Sequence, residues 1–231
     1  MKRFQPLTPE KEATLLELRK KAIDVMRALH SQGPRRVIAH GSIARGDVDK
    51  HSDIDISILD PTPSYVTEYA FETSHHKIRI IEKKITMATP NHAIKGHILL
   101  ENGTEVVFPL CSLRQRETEF YKFSGFLMLN EIQAKDGLIR VCGVNKRLLM
   151  IKPTSTGYWE ESILGKEHET ARKLRVSVEV VRERVRVLSQ RDKVGRTGQF
   201  ISLNIPPDSH FETMLKQLQD RNPAVRRRLR Y

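Results

Sequence analysis

Apolar residues recur at three- and four-residue steps through Leu15, Leu18, Ala22, Val25, Met26 and Leu29, the period of one helix face. Thr8-Pro9-Glu10 supplies a cap and a proline at the first helical position, and Gly33-Pro34 closes the segment. Val37-Ile38-Ala39 then reads as a buried strand. From Asp53 to Leu59 the period is two, so Asp53 and Asp55 share one face of a strand while Ile54 and Ile56 pack on the other. Pro61 and Pro63 interrupt, residues 64–73 form a short helix, and His75 and His76 follow in an exposed turn. Residues 78–89, rich in β-branched side chains, make one or two strands exposed or bulged at Glu82-Lys83-Lys84. Residues 97–101 and 104–108 are the arms of a hairpin, joined at Asn102-Gly103 by a two-residue type I′ turn and ended by Pro109.

Residues 112–135 read as a helical connection whose interleaved Arg114, Arg116, Phe120, Tyr121 and Phe123 suit packing on a sheet edge better than base stacking. A second hairpin pairs residues 138–141 with 147–151, and the break around Pro153 divides the chain into a domain of residues 1–152 and one of residues 153–231. In the latter, Ala171, Leu174, Val176, Val181 and Leu188 have the spacing of two short helices, with Ser177 placed to cap the second. This segment resembles bacterial and archaeal helix-turn-helix segments, a likeness that puts Arg182, Arg184, Arg186 and Arg191 on the helix that enters a nucleic-acid groove. The alternative is a helical hairpin docked on the preceding domain. Residues 191–198 would follow as a wing, and residues 222–231, too basic and short for a core, would lie along a phosphate backbone.

Charge strengthens the case for an anionic partner. The net charge is +12, and residues 166–231 hold 16 Lys/Arg against 8 Asp/Glu, so most of the excess lies far from the Asp53–Asp55 strand. A solvated basic surface with no dedicated partner is the plain alternative. Cys111 and Cys142 are too few and too far apart for a disulfide framework or a structural zinc. The first residues lack an apolar secretory region and no run reaches membrane-spanning length, which predicts a cytoplasmic chain with no membrane partner.

The chemistry concentrates in residues 37–59. Two carboxylates on one strand face repel unless a cation joins them, and hard oxygen ligands suit Mg2+, which shares its coordination with substrate phosphates. Gly41 permits close backbone approach and Ser42 begins a short helix whose free N–H groups favour phosphate. Gly41-Ser42, ten intervening residues, then Asp53-Ile54-Asp55 resemble the signature of the DNA polymerase β-like nucleotidyltransferase superfamily, in its minimal, stand-alone branch. The resemblance implies an α+β fold: a mixed β-sheet nucleotidyltransferase core with flanking helices, here followed by the small, mostly helical, helix-turn-helix or winged-helix-like domain. It further implies a triphosphate held at Gly41 and Ser42, Mg2+ or Mn2+ on Asp53 and Asp55, and a third carboxylate on a neighbouring strand, for which Glu105 is the candidate and Glu101 a poorer one. Arg45 and Ser52 occupy positions that touch phosphate or support the loop. The expected activity moves a nucleoside monophosphate from a triphosphate, ATP foremost, to an acceptor hydroxyl with release of pyrophosphate. Two alternatives stand beside it: AMP transfer to a partner protein, and a DNA-binding regulator that senses a nucleotide without turning it over.

Overall fold

The computed structural model describes residues 2–34, 36–74, 78–134, 137–195 and 198–230, which leaves His75 and His76 outside the described residues. In chain order the elements are β1 (Lys2–Pro6), α1 (Pro9–Ser31), β2 (Val37–His40), α2 (Ser42–Arg45), β3 (Ile54–Ile58), α3 (Ser64–Glu72), β4 (Ile80–Met87), β5 (Ile94–Leu100), β6 (Thr104–Pro109) and α4 (Gln115–Ser124). The rest are β7 (Phe126–Met128), α5 (Leu129–Gln133), β8 (Gly143–Val144), β9 (Leu149–Thr154), β10 (Gly157–Ser162), α6 (Glu167–Leu174), α7 (Val178–Val194), β11 (Ile201–Ile205), α8 (Phe211–Arg221) and α9 (Pro223–Leu229). Among the described residues no helix is long and apolar enough to cross a membrane.

The chain divides into two interleaved units, one of residues 1–20, 39–52 and 115–197, the other of residues 21–38, 53–114 and 198–231. This differs from a cut near Pro153, because Pro153 lies inside β9, and β9 and β10 form a hairpin through Thr154↔Gly157. The 138–151 hairpin is also displaced: residues 138–141 are not strand, and the arm opposite β9 is the two-residue β8.

In the first unit β1, β10, β9 and β8 make a four-stranded sheet. Its core gathers Phe123 from α4, Val144, Leu148, Met150 and Ile163 from the sheet region, and Ala171, Leu174, Val180, Val181 and Leu188 from α6 and α7. The two helices are joined by a three-residue turn, possible because Arg175 adopts the left-handed conformation at φ 53°. They therefore dock their apolar faces on the sheet. Ser177 starts α7, but its side chain makes no cap; its backbone N–H and hydroxyl both donate to Glu119 of α4. Burial raises the Glu119 carboxyl's pKa, the hydrogen bonds from Ser177 lower it, and the net effect is lowering.

In the second unit β11, β4, β5, β6 and β3 lie in that order, with Val37 and Ile38 of β2 beyond β3. β3 and β6 are parallel, whereas β5 is antiparallel to both β6 and β4, and β11 is antiparallel to β4. The alternation read from sequence sets the burial: Ile54, Ile56, Ile98, Val106, Phe108 and Ile85 face the core, and Asp55, Glu105 and His97 stand on the opposite face. The β5–β6 connection is a three-residue loop in which only Gly103 has positive φ, at 79°; Gly103 N–H donates to the Leu100 carbonyl. A type I′ turn needs positive φ at Asn102 as well, so this is instead a tight turn followed by a left-handed glycine.

The C-terminal segment differs from the expectation of a tail too basic and short for a core. Residues 201–205 extend the large sheet as β11, Phe211 packs edge-on against Phe108 at 5.0 Å, and Arg196 and Thr197 of the expected wing lie outside the described residues. Asn222 caps α9 by accepting from the N–H groups of Ala224 and Val225, with Pro223 at the first turn. Ala224, Val225 and Arg228 are buried, and Arg228 donates to the Ser112 carbonyl.

Candidate functional site

The turn after β2 is built around Gly41, whose φ of 76° and ψ of −142° fall where a side chain is disfavoured. Gly41 N–H donates to the Gly125 carbonyl, and its own carbonyl accepts from Ala44 and Arg45, which closes the single turn of α2. Ser42 and Ile43 precede the first intrahelical donors, so their N–H groups are the ones such a turn offers to an anion. Behind α2 the buried guanidinium of Arg19 donates to the carbonyls of Ile43, Ala44 and Gly137. Burial, with Arg140 nearby, pushes its pKa down to about 10. His40, the last residue of β2, packs edge-on against Tyr121 at 5.1 Å.

Arg45 does not stand ready for phosphate. Its side chain is buried, pairs with Asp47 at 3.0 Å and donates to the Ser124 carbonyl at 2.6 Å, so it ties the loop to the end of α4. Ser52 takes the loop-supporting role: its hydroxyl accepts from the Asp49 N–H at 2.9 Å, and its N–H returns to the Asp49 carbonyl.

In the second unit Asp53 is exposed immediately before β3, and Asp55 is half-buried within it. The parallel register sets Asp55 opposite Glu105, so these two carboxylates are neighbours on one sheet face. Glu101, near the turn, accepts from the Arg79 N–H and lies 4.0 Å from its guanidinium, an exposed edge pair. His97 was not among the sequence candidates, yet its Nδ1 lies 2.8 Å from Glu105 Oε1. Alternation along β5 was the available signal, since the register His97↔Val107 puts His97 one diagonal step from Glu105.

Asp53, Asp55 and Glu105 are a set of hard oxygen donors that fits Mg2+ or Mn2+. Among the described residues no group of three or more His, Cys, Asp or Glu side chains is gathered as a metal cluster. A divalent cation at the Asp55–Glu105 pair would need phosphate oxygens and water to complete its coordination.

The four α7 arginines separate by helical geometry. Arg182 and Arg186, four residues apart, are exposed, and Arg182 Nη2 lies 3.0 Å from His168 Nε2. Arg184 turns inward, with its guanidinium 5.1 Å from the centre of the Phe120 ring and its pKa lowered by burial. Arg191 is half-buried. A helical wheel separates Arg184 from its neighbours because two residues turn a helix by about 200°.

Residues 19–94 match the family model described as a nucleotidyltransferase domain. The domain match includes Gly41, Ser42, Arg45, Ser52, Asp53 and Asp55, and ends before His97 and Glu105. No curated protein and no solved structure matches the chain.

Proposed function

We propose that the protein transfers a nucleoside monophosphate from a nucleoside triphosphate, ATP foremost, to an acceptor hydroxyl. The observation that carries this reading is the Asp55↔Glu105 register, which adds a neighbouring-strand carboxylate to the Gly41-Ser42 and Asp53-Ile54-Asp55 motif of the nucleotidyltransferase domain. The turn N–H groups of Ser42 and Ile43 bind the outer phosphates. Asp53, Asp55 and Glu105 would hold Mg2+ or Mn2+, which would supply neutralisation of the phosphate charge. Glu105 accepts the proton of the acceptor hydroxyl. The hydroxyl oxygen bonds to the α-phosphorus, the bond from that phosphorus to the bridging oxygen breaks, and pyrophosphate leaves. Positioning and charge neutralisation account for most of the rate, so loss of the carboxylates is severe while the fold survives.

The +12 net charge and the exposed Arg182 and Arg186 favour a nucleic-acid acceptor. The test is incubation of the protein and its Asp53→Asn/Asp55→Asn variant with Mg2+, each α-labelled triphosphate and cell extract, followed by separation of RNA, DNA and protein. Label confined to nucleic acid and dependent on the aspartates is the expected result. Label in protein assigns AMP transfer to a polypeptide, and nucleotide binding without any labelling assigns a nucleotide-sensing regulator. Full activity in the purified double variant removes the mechanism.

A further inference from the structure

The sheet face that carries Asp55 also holds a polar chain leading to Glu105, and the transfer scheme uses neither of its other two members. Thr86 on β4, His97 on β5 and Glu105 on β6 cross three strands: Thr86 Oγ1 lies 2.9 Å from His97 Nε2, and His97 Nδ1 lies 2.8 Å from Glu105 Oε1. Thr86 is buried and the His97 side chain is 19% exposed, whereas that of Glu105 is 44% exposed. The fixed end of the chain is therefore the threonine, and the end that reaches solvent is the carboxylate.

An ionised carboxylate only accepts hydrogen bonds, so Nδ1 carries the hydrogen directed at Glu105, and in a neutral ring Nε2 accepts from the Thr86 hydroxyl. With both nitrogens engaged the imidazole cannot flip without losing a partner. A glutamate side chain has three rotatable bonds, and a ligand that must be ordered at binding costs affinity that pre-orientation recovers. Asp55, shorter by one methylene and opposite Glu105 in register, has less freedom to lose.

We propose that His97, oriented by Thr86, is a positioning residue that holds the Glu105 carboxylate beside Asp55 for cation binding. The inference rests on the reading of Glu105 as one of the metal carboxylates. Ligand-orienting hydrogen bonds of this kind change metal affinity roughly 10–100-fold.

The experiment is a titration of the full chain with Mn2+ alone, free Mn2+ being read by electron paramagnetic resonance, for wild type, Glu105→Gln, His97→Phe, His97→Asn and Thr86→Val. Thermal melting of each variant accompanies it. The expected result is Mn2+ binding about 10-fold weaker in Glu105→Gln and His97→Phe, at the low end of that range. His97→Asn, whose amide nitrogen stands in for Nδ1, recovers most of the loss, and Thr86→Val shows a smaller loss in the same direction. His97→Phe that binds Mn2+ like wild type, while Glu105→Gln does not, overturns the role of His97 and leaves the metal reading standing. Glu105→Gln that binds like wild type removes both. A His97→Phe loss that comes with a lowered melting midpoint and is not recovered by asparagine marks a structural histidine and also overturns the proposal. If His97→Phe does not fold, His97→Asn and Thr86→Val decide the matter: wild-type binding in Thr86→Val with weakened binding in His97→Asn overturns it.

Discussion

Arg19 is 1% exposed and holds the carbonyls of Ile43, Ala44 and Gly137 together behind the Gly41 turn. Replacing it with methionine keeps much of the apolar stem but leaves those buried acceptors without a donor. The expected cost is about 3 kcal/mol, and the measurement is a thermal or urea midpoint, which for a chain of this size falls by roughly 6–12 °C. Wild-type stability in Arg19→Met contradicts the account. Arg19 was legible in principle: it lies four residues after Leu15 and three before Ala22, inside the apolar stripe of α1. A charged side chain on such a stripe is read as an interruption unless its acceptors are known, and Gly137 is 118 residues away. Arg45 is the reverse case. It sits within the motif, but its pairing with Asp47 and the Ser124 carbonyl depends on where α4 ends, a contact that motif spacing does not encode.

Elements with strong alternation were legible: β3, β5 and β6 follow the apolar pattern, and their register then decides which carboxylates meet. The turn joining β5 to β6 was placed well and typed differently, because Asn102-Gly103 serves a three-residue loop as readily as a two-residue one. β8 was missed since two residues carry no periodicity. The β9–β10 hairpin was hidden by Pro153, which reads as a break although it pairs with Tyr158 within the ladder. That hairpin also carries the clearest acid sensitivity. Glu161 on β10 is bonded by Lys152 of β9 and by Lys166 just before α6, each at 2.5 Å, and these bonds hold its carboxyl at a pKa of about 2. The folded value lies below the roughly 4.3 of an unfolded glutamate. The stabilisation is therefore complete above about pH 5 and is lost as pH falls from there toward 2. The stability gap between wild type and Glu161→Gln is expected to shrink over that interval in urea melts, and a gap independent of pH contradicts the assignment.

At the scale of the whole molecule the chain changes units after residues 20, 38, 52, 114 and 197, so neither unit is a continuous segment. Composition could not reveal this: the basic C-terminal third looks like an appendage, yet β11, Phe211 and the buried face of α9 belong to the same unit as the carboxylates. Deletion of residues 198–231 is expected to yield insoluble protein or one lacking a cooperative transition by calorimetry. A detachable domain would leave a soluble, folded remainder. The order of synthesis gives the pairing of β11 with β4 a further consequence. β4 leaves the ribosome more than 110 residues before its partner, Ile201–Ile205. Throughout that interval one edge of β4, from Lys83 to Met87, has no neighbour to bond with and is open to the same edge on another nascent chain. Slow translation of the stretch between the two strands would then prolong the aggregation-prone stage, so the yield of native protein depends on how soon β11 follows β4.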